Sequence, residues 1–288
     1  MRPVNKRQFA RCAAIAVACA FACALGAGVA WALNQQPSYD WYKANPDAAE
    51  FTLTRGADLR GLADLVNGTA VFDLDGDGAD DEVPACDFAG KTVKLTGVGV
   101  YLANEEFAPI GSAGHPFQGA FDGDEVPIAQ LLVTQGTGNV GLFGYCGAQS
   151  ELRNVQIINL GTSASRIILA DESEDAAMPE AVIHDVGSLV GHTDGNVRNC
   201  ASSATVTVKS NRASTNDVPL VAANVGGLVG SADGDLADCN YSGDLTVEAP
   251  SLASDAQDAV VANVGGIVGM FGRANDGGRT STAGSING

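Results

Sequence analysis

The chain has 288 residues, 45% of them apolar and 36 of them glycine, with 34 acidic against 16 basic residues for a formal charge of −18. A field of that sign repels polyanions, which excludes nucleic acid as a partner and disfavours anionic lipid or glycan. Seven cysteines with no Cys-x-x-Cys pair argue against both a disulfide-stapled small domain and a cysteine-based structural zinc site.

Arg2, Lys6, Arg7 and Arg11 precede an uncharged, mostly apolar run from Cys12 to Leu33, closed by Ala30-Trp31-Ala32. That is the pattern of a signal peptide over residues 1–32 with an Ala-x-Ala cleavage site. The run is 22 residues long, enough to cross a bilayer as a helix, so an uncleaved membrane anchor stays open. Either reading exports the chain from residue 33 onward, to the cell surface or beyond, and confines membrane contact to this segment. The exported part keeps 12 basic and 34 acidic residues, a net charge of −22.

Residues 33–50 show no period and read as a linker. Phe51-Thr52-Leu53-Thr54 is a short strand. Leu59, Leu62, Leu65 and Val66 then share one helical face, ended by Asn67-Gly68, as in an amphipathic helix of about three turns with glycine just past its end. Gly61 weakens that helix without removing it. With the acidic segment after it, residues 51–85 make a strand–helix cap. From residue 91 the period becomes two: Val93 with Leu95, Val206 with Val208, Leu245 with Val247, the signature of half-buried strands.

An internal repeat organises the rest. Asn139-Val140-Gly141-Leu142-Phe143-Gly144 overlays the segments that start at Asp185, Asn224 and Asn263, and the last three starts are 39 residues apart. Gly187, Gly226 and Gly265 stay in step, as do Gly191, Gly230 and Gly269, and Cys200 with Cys239. A unit of a few short strands cannot bury its apolar face alone, so it stacks on copies of itself. In a β-solenoid the copies lie ~4.8 Å apart and equal positions form ladders. The glycines then either let backbones pass closely or take positive φ at corners, and Asn and Asp beside the strands suit left-handed corners. Polar stretches Lys209–Pro219 and Glu248–Asp258 read as loops thrown out of each turn. The expected fold is all-β, a right-handed parallel solenoid over residues 86–272, with a Gly/Ser/Thr-rich flexible tail at 273–288.

At these residues the sequence resembles proteins with GLUG repeats. The core is Gly227-Leu228-Val229-Gly230 and Gly266-Ile267-Val268-Gly269. Pro109-Ile110-Gly111 with Pro116 to Gly123 resembles the segment before the first repeat, and Leu152-Arg153-Asn154-Val155 with Val197-Arg198-Asn199-Cys200 resembles the mid-repeat strand. The resemblance implies a bacterial surface or secreted protein with display or adhesion as its role. In some large surface peptidases such repeats are accessory, so a fragment of a longer protein is one alternative. The resemblance carries over no active site. Two departures stand out: the acidic insertion at residues 69–85, and a fourth repeat that runs into the tail without its return strands.

The sharpest motif is Asp73-Leu74-Asp75-Gly76-Asp77-Gly78-Ala79-Asp80-Asp81. Calcium loops place oxygens at alternate positions with glycine sixth, which makes Asp73, Asp75, Asp77 and Asp81 candidate calcium ligands. Pro84 stands where a bidentate Glu is usual, and a solvated acidic turn is the other reading. No other cofactor is expected. Asp122 and Asp124 could be the carboxylates of a carbohydrate-active β-helix enzyme, the rival function, but few basic residues stand near them in sequence and turn residues are the preferred reading. There is no His-Glu-x-x-His and no Gly-x-Ser-x-Gly, so no enzymatic role is expected. His192 follows a repeat glycine and reads as a surface residue. Cys200 and Cys239 are a disulfide or a buried thiol ladder, the ladder being preferred. Phe117, Phe121 and Phe143 read as core, and Tyr39, Trp41 and Tyr42 as a remote candidate for stacking on sugar. The partner expected is an extracellular protein or glycan, its identity open.

Overall fold

Each repeated segment holds strands of only two to six residues, so burial has to come from the copy above and the copy below. The computed structural model describes residues 36–134, 138–160, 164–171, 184–210, 223–248, 263–272 and 286–287. The leader at 1–32 lies outside the described residues. Among those described, no helix is long and apolar enough to cross a membrane.

The unit from Pro37 onward opens with a short helix α1 (Asp40–Lys43), strand β1 (Glu50–Leu53), helix α2 (Gly56–Asn67) and a hairpin of β2 (Val71–Phe72) with β3 (Asp81–Glu82). The next rung contributes β4 (Thr92–Leu95) and β5 (Val100–Tyr101), and the third β6 (Ala120–Asp122), β7 (Pro127–Ala129), β8 (Leu132–Val133) and β9 (Phe143–Cys146). The fourth holds β10 (Glu151–Arg153), β11 (Gln156–Ile158), β12 (Arg166–Asp171), β13 (His184–Val186) and β14 (Val190–Thr193). The fifth repeats the pattern with β15 (Asn196–Arg198), β16 (Ala201–Ser202), β17 (Thr205–Ser210), β18 (Ala223–Gly226) and β19 (Val229–Ala232). The sixth does so with β20 (Leu236–Ala237), β21 (Asn240–Tyr241), β22 (Leu245–Glu248), β23 (Asn263–Gly265) and β24 (Val268–Phe271), and β25 (Ile286–Asn287) comes last.

Equivalent strands of successive rungs pair side by side. The orders are β1-β4-β6-β10-β15-β20-β25, β5-β7-β11-β16-β21, β8-β12-β17-β22, β13-β18-β23 and β9-β14-β19-β24. Among the described residues every strand pair is parallel except the β2–β3 hairpin. The protein is therefore mostly β with parallel sheets, a β-helix-like stack.

The core is a set of vertical columns. Phe51, Val93, Phe121, Leu152, Val197 and Leu236 are consecutive partners on the first sheet and none is more than 3% exposed. Val140, Val186, Val225 and Val264 form a second column, at the positions the 39-residue repeat aligns. Val225 is fully buried while Val264, over which no further described rung lies, is 54% exposed. A valine is thus sheltered by its vertical neighbours and not by its own segment. Full burial of such a side chain is worth roughly 1.5–3 kcal/mol.

The repeat glycines answer to close approach rather than to special φ. A Cβ on Gly226 would collide with the Val229 carbonyl across the turn between β18 and β19. On Gly191, Gly230 and Gly269 it would come 2.5–2.6 Å from the backbone nitrogens of Val140, Val186 and Val225, on the preceding rung. Left-handed backbone falls instead on Asn154 (φ 55°), Asn199 (φ 49°) and Asp238 (φ 53°), which end the first-sheet strands as the sequence predicts. The Asn199 amide donates to Asn154 Oδ1 at 2.8 Å, and the Asn154 amide to Asp122 Oδ1 at 2.9 Å. Each corner is braced on the one before.

Helix α2 closes one end of the stack. Leu59, Leu62, Leu65 and Val66 are buried, and Gly68 ends the helix at φ 71°. The Asp58 carboxylate accepts hydrogen bonds from the Thr54 and Arg55 amides at 3.0 and 3.2 Å, a capping arrangement at the helix start. Gly61 is required, because a Cβ there would collide with the Ser38 carbonyl.

Three expectations need correction. Residues 37–50 are not a free linker: Trp41 and Tyr42 pack edge-on or stacked on Phe51, and Tyr39 stacks on Phe72 at 4.6 Å. Those rings are partly buried and pack against the core. The tail is not loose throughout, since Ile286 and Asn287 pair with Leu236 and Ala237 and give the last repeat a return strand. The excursions begin later than expected, because β17 runs to Ser210 and β22 to Glu248; their remaining residues lie outside the described ones. For the cysteines the preferred ladder stands over the bridge: Cys200 and Cys239 are free thiols, as are Cys86 and Cys146.

Gly226→Ala should lower stability by about 1–3 kcal/mol through overpacking, whereas Gly266→Ala, with open space around its Cβ, should stay within about 0.5 kcal/mol; equal melting of the two variants would contradict the stacking. Burial raises the Asp58 pKa, but the Thr54 amide and the Arg55 guanidinium outweigh it and leave it lowered. A depressed carboxylate stabilises above its unfolded value and loses that contribution as pH falls through the folded one. Asp58→Asn should therefore cost about 1 kcal/mol at neutral pH, and denaturation curves should show the gap to wild type closing in acid.

Candidate functional site

The acidic loop spans the turn between β2 and β3. Asp73 accepts from the Gly76 and Gly78 amides at 2.6 and 3.1 Å, Asp75 from Asp77 N–H at 3.1 Å, Asp77 from Ala79 N–H at 2.8 Å, and Asp81 from Leu74 N–H at 3.0 Å. Gly76 and Gly78 take φ of 84° and 90°, which is why glycine sits there. Carboxylate oxygens of Asp73, Asp75 and Asp81 lie within 4.8 Å of one another, while Asp77 is outside that group. Three of the four residues singled out in the sequence are thus brought together.

Asp122 and Asp124 each have basic or amide partners. Asp122 accepts from Arg153 Nε at 3.0 Å, Asn154 Nδ2 at 2.9 Å and the Asp124 amide at 3.0 Å. Burial pulls its pKa up, yet these donors outweigh that and hold it lowered. Asp124 pairs with Lys94 at 3.2 Å. Arg153 arrives from the next rung, so its nearness could not be read along the chain. Beside α2 lies a cleft of about 820 Å3 with Arg60, Asp64 and Glu106 on its wall. Arg60 there is bound to the carbonyls of Glu106, Leu102 and Glu105, so its guanidinium is spent on holding the chain.

The polar cluster that sequence reasoning missed centres on His192. Instead of lying on the surface it is 3% exposed, because β13 packs over β14 and all four residues of β14 are buried. Its Nδ1 faces Asp185 Oδ2 at 3.1 Å and its Nε2 faces Asp194 Oδ1 at 3.2 Å. The Asn224 amide donates to Asp185 Oδ1 at 2.6 Å, and the Asn263 amide to Asn224 Oδ1 at 2.8 Å. Tyr145 stacks on the imidazole at 4.6 Å and donates its hydroxyl to Asp194 Oδ2 at 2.8 Å. Burial alone would push the histidine down, but its hydrogen bonds to Asp185 and Asp194 prevail and raise it to about 9. The signal available in sequence was Asp194 recurring as Asp233, 39 residues on, beside the only repeat copy that carries a histidine.

The thiols offer little chemistry. Burial pushes Cys200 up to about 12 and raises Cys146 as well, far from the thiolate that reactivity needs.

Comparison with known proteins gives one match: residues 184–207 fit the family model described as the GLUG motif. The matched stretch runs from β13 through β17, one full circuit of the stack, and carries the resemblance drawn from the glycine repeats. No curated protein and no solved structure matches the chain.

Asp185→Ala should leave the imidazole and the Asn224 amide without their buried partner. Loss of one side of a buried pair costs roughly 3–5 kcal/mol, so chemical denaturation should show a fall of that order; a change near zero would mean that the column contributes nothing to the stack.

Proposed function

We propose that this chain is a non-enzymatic extracellular surface module, an adhesin or stalk, exported through residues 1–32 and built as a right-handed parallel solenoid. The observation that carries the reading is where the strands of successive rungs stop and resume. In three successive rungs a strand ends at Asp171, Ser210 and Glu248, and the next described strand begins at His184, Ala223 and Asn263. The strands on either side are in register from rung to rung, and the segments between them, outside the described residues, are unlike in sequence. The first carries Glu172, Glu174, Asp175 and Glu180, the second Arg212 and Asp217, the third Asp255 and Asp258. Variable segments held by a regular frame suit recognition of another protein or a glycan. We assign Asp73, Asp75 and Asp81 to calcium, with Asp77 bracing the loop.

The intact exported chain, tested on arrays of glycans and matrix proteins, should capture a ligand. Replacing residues 211–222 by a Gly/Ser segment of equal length should weaken that capture at least about tenfold without moving the melting temperature. Capture that survives replacement of all three excursions, or release of reducing sugar from a polysaccharide, would sink the reading. For the loop, millimolar calcium should raise the melting temperature over that in EDTA, and Asp73→Asn should abolish the difference; identical melting of wild type in both solutions removes the calcium assignment.

A further inference from the structure

The cluster around His192 has features that a purely structural hydrogen-bond column does not need. Asp194 and Asp233 occupy the same repeat position on adjacent rungs, since Thr193 and Ala232 just before them are ladder partners. Like charges directly opposite on neighbouring strands repel. Ligand atoms of His192, Asp194 and Asp233 nevertheless lie within 4.8 Å of one another.

A second observation is independent of these acids. Ser231 is fully buried and its Oγ has no hydrogen-bond partner. It is the ladder partner of His192, so its hydroxyl projects on the same side of the sheet as the imidazole. A buried hydroxyl left without a partner is destabilising, and a bound ion or its water removes that cost.

We infer that His192, Asp194 and Asp233 form a site for a divalent first-row transition cation, with zinc as the reference, straddling the fourth and fifth rungs. Donors at 2.0–2.2 Å from a tetrahedral zinc stand roughly 3.3 Å apart, and His192 Nε2 is already 3.2 Å from Asp194 Oδ1. Asp233 would close the third position by turning its carboxylate, and Ser231 Oγ, on the same side of the sheet as the imidazole, would serve the fourth as ligand or as partner of a bound water. One imidazole with two carboxylates is a borderline set that suits zinc, iron(II) or manganese better than calcium, which takes oxygen ligands throughout.

The surroundings are those of an outer shell. A ligating histidine commonly donates its other ring N–H to a carboxylate, which fixes the tautomer and the ring plane. Asp185 stands at that position, 3.1 Å from Nδ1, and is itself held by the Asn224 amide. The Tyr145 hydroxyl holds the second oxygen of Asp194. The side chain of Asp194 is 31% exposed, which leaves the ion a way in from solvent. The acidic loop of Asp73, Asp75 and Asp81 is a separate, all-oxygen group.

The experiment is a titration of the full chain, chelator-treated and kept reduced, with zinc by calorimetry and with cobalt by visible absorption. One equivalent of zinc should bind. His192→Gln and Asp233→Asn should each weaken it at least about tenfold, and Asp185→Asn by about 10–100-fold, the usual effect of an outer-shell partner. Ser231→Ala should weaken zinc while leaving the metal-free melting temperature unchanged or higher, a split that a merely structural hydroxyl would not give. Asp73→Asn should leave zinc affinity as it was. If His192→Gln does not fold, Asp233→Asn, at a half-buried carboxylate, carries the test. The inference is overturned if folded wild type takes up no zinc, or if uptake is unaffected by Asp233→Asn. It is also overturned if cobalt shows thiolate charge-transfer bands that vanish on Cys200→Ser.

Discussion

The structure depends on vertical sharing. No rung has enough apolar area to sustain itself, so each valine, leucine or phenylalanine of the core is shielded by the side chain at the same position one turn away. The column through Phe51, Val93, Phe121, Leu152, Val197 and Leu236 is where this is clearest, and Val264 shows the converse. This residue has the same neighbours along the chain as Val225, but is left half-exposed where no described rung covers it. Burial in this protein is a property of the stack.

Stacking in register also forces polar side chains into columns, and there the outcome depends on chemistry. Asn over Asn works, because an amide offers a donor on one side and an acceptor on the other. The corner ladder of Asn154 and Asn199 and the inner ladder of Asp185, Asn224 and Asn263 both use this. Asp over Asp does not work in the same way, since two acceptors of like charge meet. The column of Asp194 and Asp233 therefore sets acceptors of like charge on adjacent rungs, with the His192 imidazole beside it. The scaffold's regularity generates its own concentrated polar site.

The same regularity separates the repeated frame from the rest of the sequence. The circuit that matches the GLUG motif, residues 184–207, holds every strand needed to continue the stack. The rest of each 39-residue period lies outside the matched stretch. Such division lets one part vary without touching the other, provided that the glycines at the tight turns and rung contacts are kept.

Much of this was determined by the sequence alone. The 39-residue spacing, the strand alternation and the paired Asn or Asp before each glycine set the parallel stack and its register, because identical short segments have no other way to bury identical faces. The helix α2 and its end at Gly68 were equally plain, from apolar spacing and a left-handed stop. Other features were decided only by tertiary structure. Whether Gly226 serves positive φ or close contact depends on the Val229 carbonyl folded back across the turn and on the neighbouring rung. The burial of His192, the arrival of Arg153 on Asp122 and the seating of Trp41 and Tyr42 on Phe51 are contacts across a whole rung, or between strands and rings that cover one another. A one-dimensional pattern records which residues recur. It does not record which face a second strand will close over, and that is why a histidine read as exposed is buried.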